Sequence, residues 1–186
     1  MFATEQALKD YIRQAAEQPS NLFLNSNGDW CLSYRNLSLK VGVSCYVIWQ
    51  SKILLIKRSP KVKFAGKWGT VSGYVDNLTM LQNSPNVFHA HIIQEFQEEI
   101  GWSVDESMNL QYWGTHALVQ PETQIHFELF TLVLEQEPPK IQLNLEHTAY
   151  QWIEISKLSS LKPILITQFI EGLLKTNISA FADLNK

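Results

Sequence analysis

Three carboxylates crowd the stretch from Gln94 to Trp102, and few folds can hold them. The run reads Gln-Glu-Phe-Gln-Glu-Glu-Ile-Gly-Trp. On a helix, Glu95, Glu98 and Glu99 stand at i, i+3 and i+4 and share one face. Phe96 and Ile100, with Ile92 and Ile93 a turn earlier, supply an apolar face beside it. Gly101, directly after the last turn, is a helix stop. Like charges on one face repel, so the arrangement costs stability unless something cationic sits there. Hard divalent ions such as Mg²⁺ bind clustered carboxylates through oxygen. Taken alone, the stretch leaves a solvated acidic face equally open.

The upstream chain decides between them. Trp68-Gly69-Thr70-Val71-Ser72-Gly73-Tyr74-Val75-Asp76 is a glycine-punctuated strand and turn leading towards the helix. Together with Glu95–Trp102 it resembles the signature of the Nudix hydrolases, G-x5-E-x7-R-E-U-x-E-E-x-G-U, where U is a bulky apolar residue. The second half matches at every specified position from Glu95 to Trp102, and the first half matches at Gly73. Ile53–Arg58 before the box, and Glu146-His147 followed by Gln151-Trp152-Ile153 after it, extend the resemblance over roughly residues 40 to 175. The sequence departs from the motif in three places. The family's Arg is Gln94; its first Glu has no counterpart, since counting from either side lands on Thr79 or Asn86; and seven extra residues fall between Gly73 and Gly101, within Tyr74 to Pro85. Losing the Arg and that Glu together leaves neither as an unpaired charge.

The resemblance implies an α+β Nudix fold, a mixed β-sheet sandwiched between helices. It implies an enzyme, a Nudix-type pyrophosphohydrolase that cleaves a diphosphate linkage in a nucleotide or nucleoside-diphosphate-linked small molecule. The alternative is a catalytically silent Nudix domain serving as a nucleotide sensor or protein-interaction scaffold. Catalysis and metal binding would fall to Glu95, Glu98 and Glu99, with the backbone at Gly73 completing a site for Mg²⁺, or Mn²⁺ in its place. Asp76 is a second-tier site residue. A further family carboxylate would come from Glu122, Glu128 or Glu146. Leu54–Ser59 with Lys63 and Gly66 matches a coenzyme A-directed signature only in part, so nucleotides, nucleotide sugars and coenzymes all stay open as substrates.

The residues add a cationic counterpart to the acid helix. No Asp or Glu occurs from Trp30 to Val75, whereas Lys52, Lys57, Arg58, Lys61, Lys63 and Lys67 all do. Arg58, Lys63 and Lys67 in the loop before the glycine strand are therefore candidates for meeting phosphate oxygens. Ordinary solvated loop charges are the plainer reading for any one of them. His91 lies one turn before Glu95 on the same face and so within reach of the site, but no second His or Cys stands at ligand spacing, and a packing or solvated histidine is the plainer reading.

In chain order, Thr4–Gln18 reads as an amphipathic helix carrying Leu8, Tyr11, Ile12 and Ala15 on one side. Asn25–Asp29 is a turn between Leu22–Leu24 and Trp30–Leu32, a hairpin. Residues 1–39 thus form an N-terminal extension, and 40–186 the Nudix domain. Lys40–Trp49 and Lys52–Lys57 are strands, Ser84-Pro85 starts the acid helix, Leu110–Val119 and Gln124–Leu134 flank a turn at Pro121–Thr123, Gln151–Ile155 is a strand, and Leu161–Leu174 a closing helix. A net charge of −3 argues against nucleic acid as a partner. No apolar run is long enough for a bilayer, which makes a membrane partner unexpected and a cytoplasmic location the default. Cys31 and Cys45 show no metal spacing and read as reduced thiols. The N-terminal arm would bind substrate, make a homodimer contact or, most simply, cap the sheet, and in the scaffold reading the arm or the Tyr74–Pro85 insertion is the interface.

Overall fold

The computed structural model describes residues 4–104, 108–120 and 123–161. The expected turn at Pro121–Glu122, and the closing helix beyond Leu161, lie outside the described residues. Glu5–Ala16 forms α1, capped by the Thr4 hydroxyl, which accepts from the Ala7 N–H. Strands β1 (Leu22–Leu24) and β2 (Trp30–Leu32) pair antiparallel as the expected hairpin. Seven further strands form the main sheet, five in the order β5-β4-β3-β8-β7, with β6 paired to β3 and β9 to β4. Their ranges are β3 Leu39–Trp49, β4 Lys52–Arg58, β5 Trp68–Gly69, β6 Val71–Tyr74, β7 Leu110–Gln120, β8 Thr123–Leu134 and β9 His147–Glu154. β3 and β8 run parallel and the remaining pairs antiparallel, so the sheet is mixed.

Strand alternation sends each strand's apolar residues to two faces. Val41, Val43, Cys45 and Val47 of β3 join Leu54, Ile56, Phe130 and Leu132 on one face, where α1 supplies Leu8 and Ile12 and the acid helix supplies Phe88, Ile92, Phe96 and Ile100. Tyr46, Ile48, Ile53, Leu55, Ile125, Phe127 and Leu129 form the other face with Ile155 and Leu158. Both faces are buried, which explains why β3 is apolar nearly throughout rather than alternating.

The acid helix, α3, runs Val87–Ile100 and ends at Gly101 with φ +73, the left-handed stop expected of a glycine there. Its start differs from the sequence expectation. Asn86 is the cap, its side chain accepting from the His89 N–H at 3.1 Å. Ser84 instead closes a short helix, α2 (Leu78–Asn83), that the sequence reading did not foresee. The insertion is thus a folded element: Asn77 caps it and Leu81 buries into the core. β9 also begins earlier than expected, at His147, which carries that residue into the site.

The N-terminal arm is woven into the same core. The Tyr11 hydroxyl donates to the Leu39 carbonyl at 2.6 Å and the Tyr34 hydroxyl to the Val75 carbonyl at 2.7 Å. Leu32 N–H donates to the Asp76 carbonyl at 2.8 Å, tying the hairpin to the end of β6.

Candidate active site

Two adjacent i+4 rows organise α3. Phe88, Ile92, Phe96 and Ile100 face the core, each burial stabilising by about 1.5–3 kcal/mol. The neighbouring row, Val87, His91, Glu95 and Glu99, faces β6. The apolar row presses the acid row against a glycine strand. At Gly73 there is no room for a side chain: a Cβ would fall on the Glu95 carboxylate. Glu99, 3% exposed, accepts from the Ser72 N–H at 2.9 Å. Glu98 stays exposed at the rim, where the Gln94 amide donates to it. Gln94, standing where the family motif has Arg, therefore serves as a neutral brace for Glu98.

These acids sit in a cleft of about 820 Å³. Gly73, Glu95, Glu98, Glu99, Arg58 and Lys63 all line it; Lys67 does not. Lys67 is nonetheless tied to the wall, since its carbonyl accepts from the Arg58 N–H at 2.9 Å. Arg58 is aimed by its Nε–H, which donates to the Lys63 carbonyl at 2.8 Å, and its guanidinium reaches Glu146 at 3.7 Å. Asp76 and Glu146 line the cleft too. Glu128 does not. It is buried in the sheet, accepting from the Tyr112 hydroxyl at 2.7 Å and lying 2.9 Å from His126 Nε2. Of the further carboxylates named from sequence, Glu146 is the one in the cleft, and Glu122 lies outside the described residues.

Burial dominates the electrostatics. It pushes the Glu95 carboxyl well above its ordinary value, and repulsion from Glu99 and Glu98 pushes it further. Burial carries Glu99 up to about 8, against the opposing pull of the Ser72 N–H and Arg58. Asp76 rises to about 7, again through burial. His147 falls to about 4 through burial and the nearby Arg58. Its Nδ1–H donates to Asn144 Oδ1 at 3.0 Å, an oxygen that also accepts from the Glu146 N–H, so the bare Nε2 faces Glu99 at 3.6 Å. At neutral pH that contact is a neutral imidazole beside a carboxyl, not an ion pair. His147 was missed as a site residue because its role depends on the early start of β9. His91, 1% exposed, falls to about 4 through burial; its Nε2 has no partner among the described residues and it lines the cleft, so packing alone does not account for it. Cys31 also lines the cleft, but burial and nearby acids raise its thiol to about 11, which rules out a thiolate nucleophile at neutral pH.

Among the described residues no three His, Cys, Asp or Glu side chains are gathered as a ready cation cage. The donor chemistry still suits a hard divalent ion. Oxygen ligands predominate, Glu95 and Glu99 repel each other, and Glu98 stands beside them at the rim.

The family model for the NUDIX domain matches residues 38–169. Sheet, acid helix and that match together define a Nudix domain. The chain belongs to the Nudix family. Its fold is similar to that of a MutT protein from Methanosarcina mazei Go1, at TM-score 0.56 and 19% identity, covering 81% of this chain and 98% of that one. It is also similar to the NUDIX domain of Shewanella oneidensis NrtR, complexed with ADP ribose, at TM-score 0.59 and 14% identity, over 74% of this chain and 88% of that one. A third likeness is the E. coli dihydroneopterin triphosphate pyrophosphohydrolase, at TM-score 0.54 and 17% identity, over 75% and 95%. No curated protein matches the chain in sequence. No helix among the described residues is long and apolar enough to cross a membrane.

Proposed function

We propose that this protein hydrolyses a diphosphate linkage in a nucleotide or nucleoside-diphosphate-linked small molecule, with Mg²⁺ or Mn²⁺ held by Glu95, Glu98, Glu99 and a backbone carbonyl near Gly73. The observation that carries the reading is the seating of the Glu95 carboxylate on Gly73, with Glu99 fixed by the next N–H in the same strand. That contact brings the two halves of the motif together at one point of the cleft, across an insertion that separates them in sequence.

A bound divalent ion would neutralise diphosphate charge and make a coordinated water acidic enough to yield hydroxide near neutral pH. The rest falls to the chain. Arg58 and Lys63 meet the phosphate oxygens from the cleft wall. Metal-free Glu99 holds its proton up to about pH 8; a bound cation would bring that value down and leave the carboxylate free to accept a proton from water, with His147 fixed beside it in one tautomer. Burial on the β6 side excludes bulk water from Glu99, while Glu95 is half-buried and the rim stays open to substrate.

Phosphate release across nucleotides, nucleotide sugars and coenzymes, with coupled phosphatase and either metal, tests this. At least one class should turn over, and turnover should fall about 10²-fold or more in Glu98→Gln and Glu99→Gln with the melting temperature held or raised. A Glu99→Gln enzyme as active as wild type would remove the acid helix from the mechanism. Tight nucleotide binding with no turnover under either metal would instead make the protein a sensor.

A further inference from the structure

The family match begins at residue 38, yet the cleft has a wall built from earlier residues. Phe23, Asn25, Ser26, Asn27 and Cys31 of the β1–β2 hairpin line the same cavity as the acid helix. The hairpin is rigidly mounted. Besides the Leu32–Asp76 hydrogen bond, Cys31 bridges to Asn77, and the Asn77 amide donates to Asp29 at 3.4 Å. Its tip is braced internally: Asn25 Oδ1 accepts from the N–H groups of Asn27 and Asp29, both at 2.9 Å, and Gly28 sits at φ +84. Such a wall is preorganised rather than ordered on binding.

Its chemistry differs from the rest of the cleft. Every charged lining residue belongs to α3, to β6 and the residues that follow it, or to the 58–64 and 144–147 loops; the hairpin contributes none. It offers amides, a hydroxyl and a phenyl ring. Phe23 is 42% exposed although a phenyl ring gains most from burial, and across the cavity lining Phe64 is 41% exposed. Phe64 also holds φ +57, a left-handed conformation costly for a bulky residue, pinned by the Lys67 N–H donating to its carbonyl at 3.0 Å. Two solvent-facing rings, one on a strained backbone, line a cavity whose floor includes the apolar Leu118, Ile125 and Phe127. The Asn27 side-chain amide enters no hydrogen bond among the described residues, leaving it able to read a polar edge.

We propose that the N-terminal hairpin is the specificity wall of this site, recognising a flat heteroaromatic group joined to the diphosphate, with Phe23 and Phe64 contacting its faces and Asn27 its edge. The inference rests on the diphosphate reading above only for where the phosphate end lies. Substrates with an uncharged, planar, polar-edged moiety fit; a bare polyphosphate or sugar phosphate leaves the two rings in water.

Binding, not turnover, tests it. The probes are nucleoside α,β-methylene diphosphates carrying each of four bases, against methylenebisphosphonate without a base, titrated calorimetrically into the full chain with Mg²⁺. At least one base should bind about tenfold or more tighter than the bare probe, as base–aromatic stacking commonly provides. Phe23→Ala and Phe64→Ala should each lose about tenfold for that probe and leave the bare probe unchanged, while Phe23→Tyr retains wild-type affinity. Phe23→Leu keeps apolar bulk without the flat face, and carries the test should Phe23→Ala loosen the hairpin. Equal affinity for base-bearing and bare probes, wild-type affinity in both alanine variants, or an equal loss for both probes overturns the proposal. A chain that binds the base-bearing probe tightly but cleaves no phosphate anhydride sinks the hydrolase reading and leaves the wall standing. One that cleaves while ignoring the base does the reverse.

Discussion

At Gly73 two backbone elements approach so closely that a single methyl group decides where a carboxylate sits. The obstruction to a Cβ there is the end of the Glu95 side chain, not backbone, so Gly73→Ala can be accommodated by swinging the carboxylate out of its seat. Stability should fall by only about 1 kcal/mol, whereas activity should fall steeply because the acid is displaced rather than deleted. The double variant Gly73→Ala/Glu95→Ala supplies the check. If the glycine acts through Glu95, the two losses in turnover will be far from additive. Additive losses would mean that Gly73 matters for the strand and not for the acid. Gly42, across the ladder at Tyr74, is a useful contrast: its Cβ would meet the Phe127 ring at 2.8 Å and the Gly73 carbonyl at 2.9 Å, so an alanine there shifts backbone and should cost more stability.

The acid helix shows at the scale of an element what a sequence can and cannot disclose. Its face, its glycine stop and its partner strand follow from periodicity and motif, because i+4 rows and a left-handed terminus are local properties of the chain. Its start did not follow. Ser84-Pro85 and Asn86 are all competent starts, and the choice was made by α2, which buries Leu81 and takes Ser84 as its own end. That is a tertiary decision with no local signal. The hairpin was visible from its turn residues, but its place in the cleft was not, since it depends on hydrogen bonds to Asp76 and Asn77 far along the chain. Likewise Glu128 alternates as a surface residue would, and only the fold shows Tyr112 and His126 enclosing it. The cap assignment can be measured. Asn86→Ala should destabilise by about 1 kcal/mol, whereas Ser84→Ala should be nearly neutral, because Ser84 contributes its backbone N–H to α2 and that is kept. Equal effects in a denaturant titration would return the cap to Ser84.

For the whole molecule, the buried acids and the buried histidines set opposing limits on stability. His91 and His147 have folded values near 4, below the ordinary 6.5, so the folded chain resists taking up their protons and stability is lost as pH falls from 6.5 towards 4. Glu99 and Asp76 are displaced the other way, to about 8 and about 7 from 4.5 and 3.8. An acid whose folded value is raised contributes stability that is fully present below its unfolded value and is lost as pH climbs through the folded one. Between pH 4.5 and 6.5 the two trends oppose each other. Above 6.5 the histidines are neutral in both states, the unfolded carboxylates are already ionised, and the folded chain alone still holds protons. Metal-free protein should therefore lose about 2–3 kcal/mol between pH 6.5 and 8.5, read as a falling melting temperature in the presence of a chelator. Glu99→Gln keeps an oxygen for the Ser72 N–H and removes the titration, so its melting temperature should vary much less over that interval. A wild-type melting temperature that is flat or rising from pH 6.5 to 8.5 would show that Glu99 is ionised at neutral pH and that its charge is already compensated in the folded chain. In that case Arg58, whose field lowers the Glu99 value, would be the compensating group, and Arg58→Gln should bring back the alkaline loss.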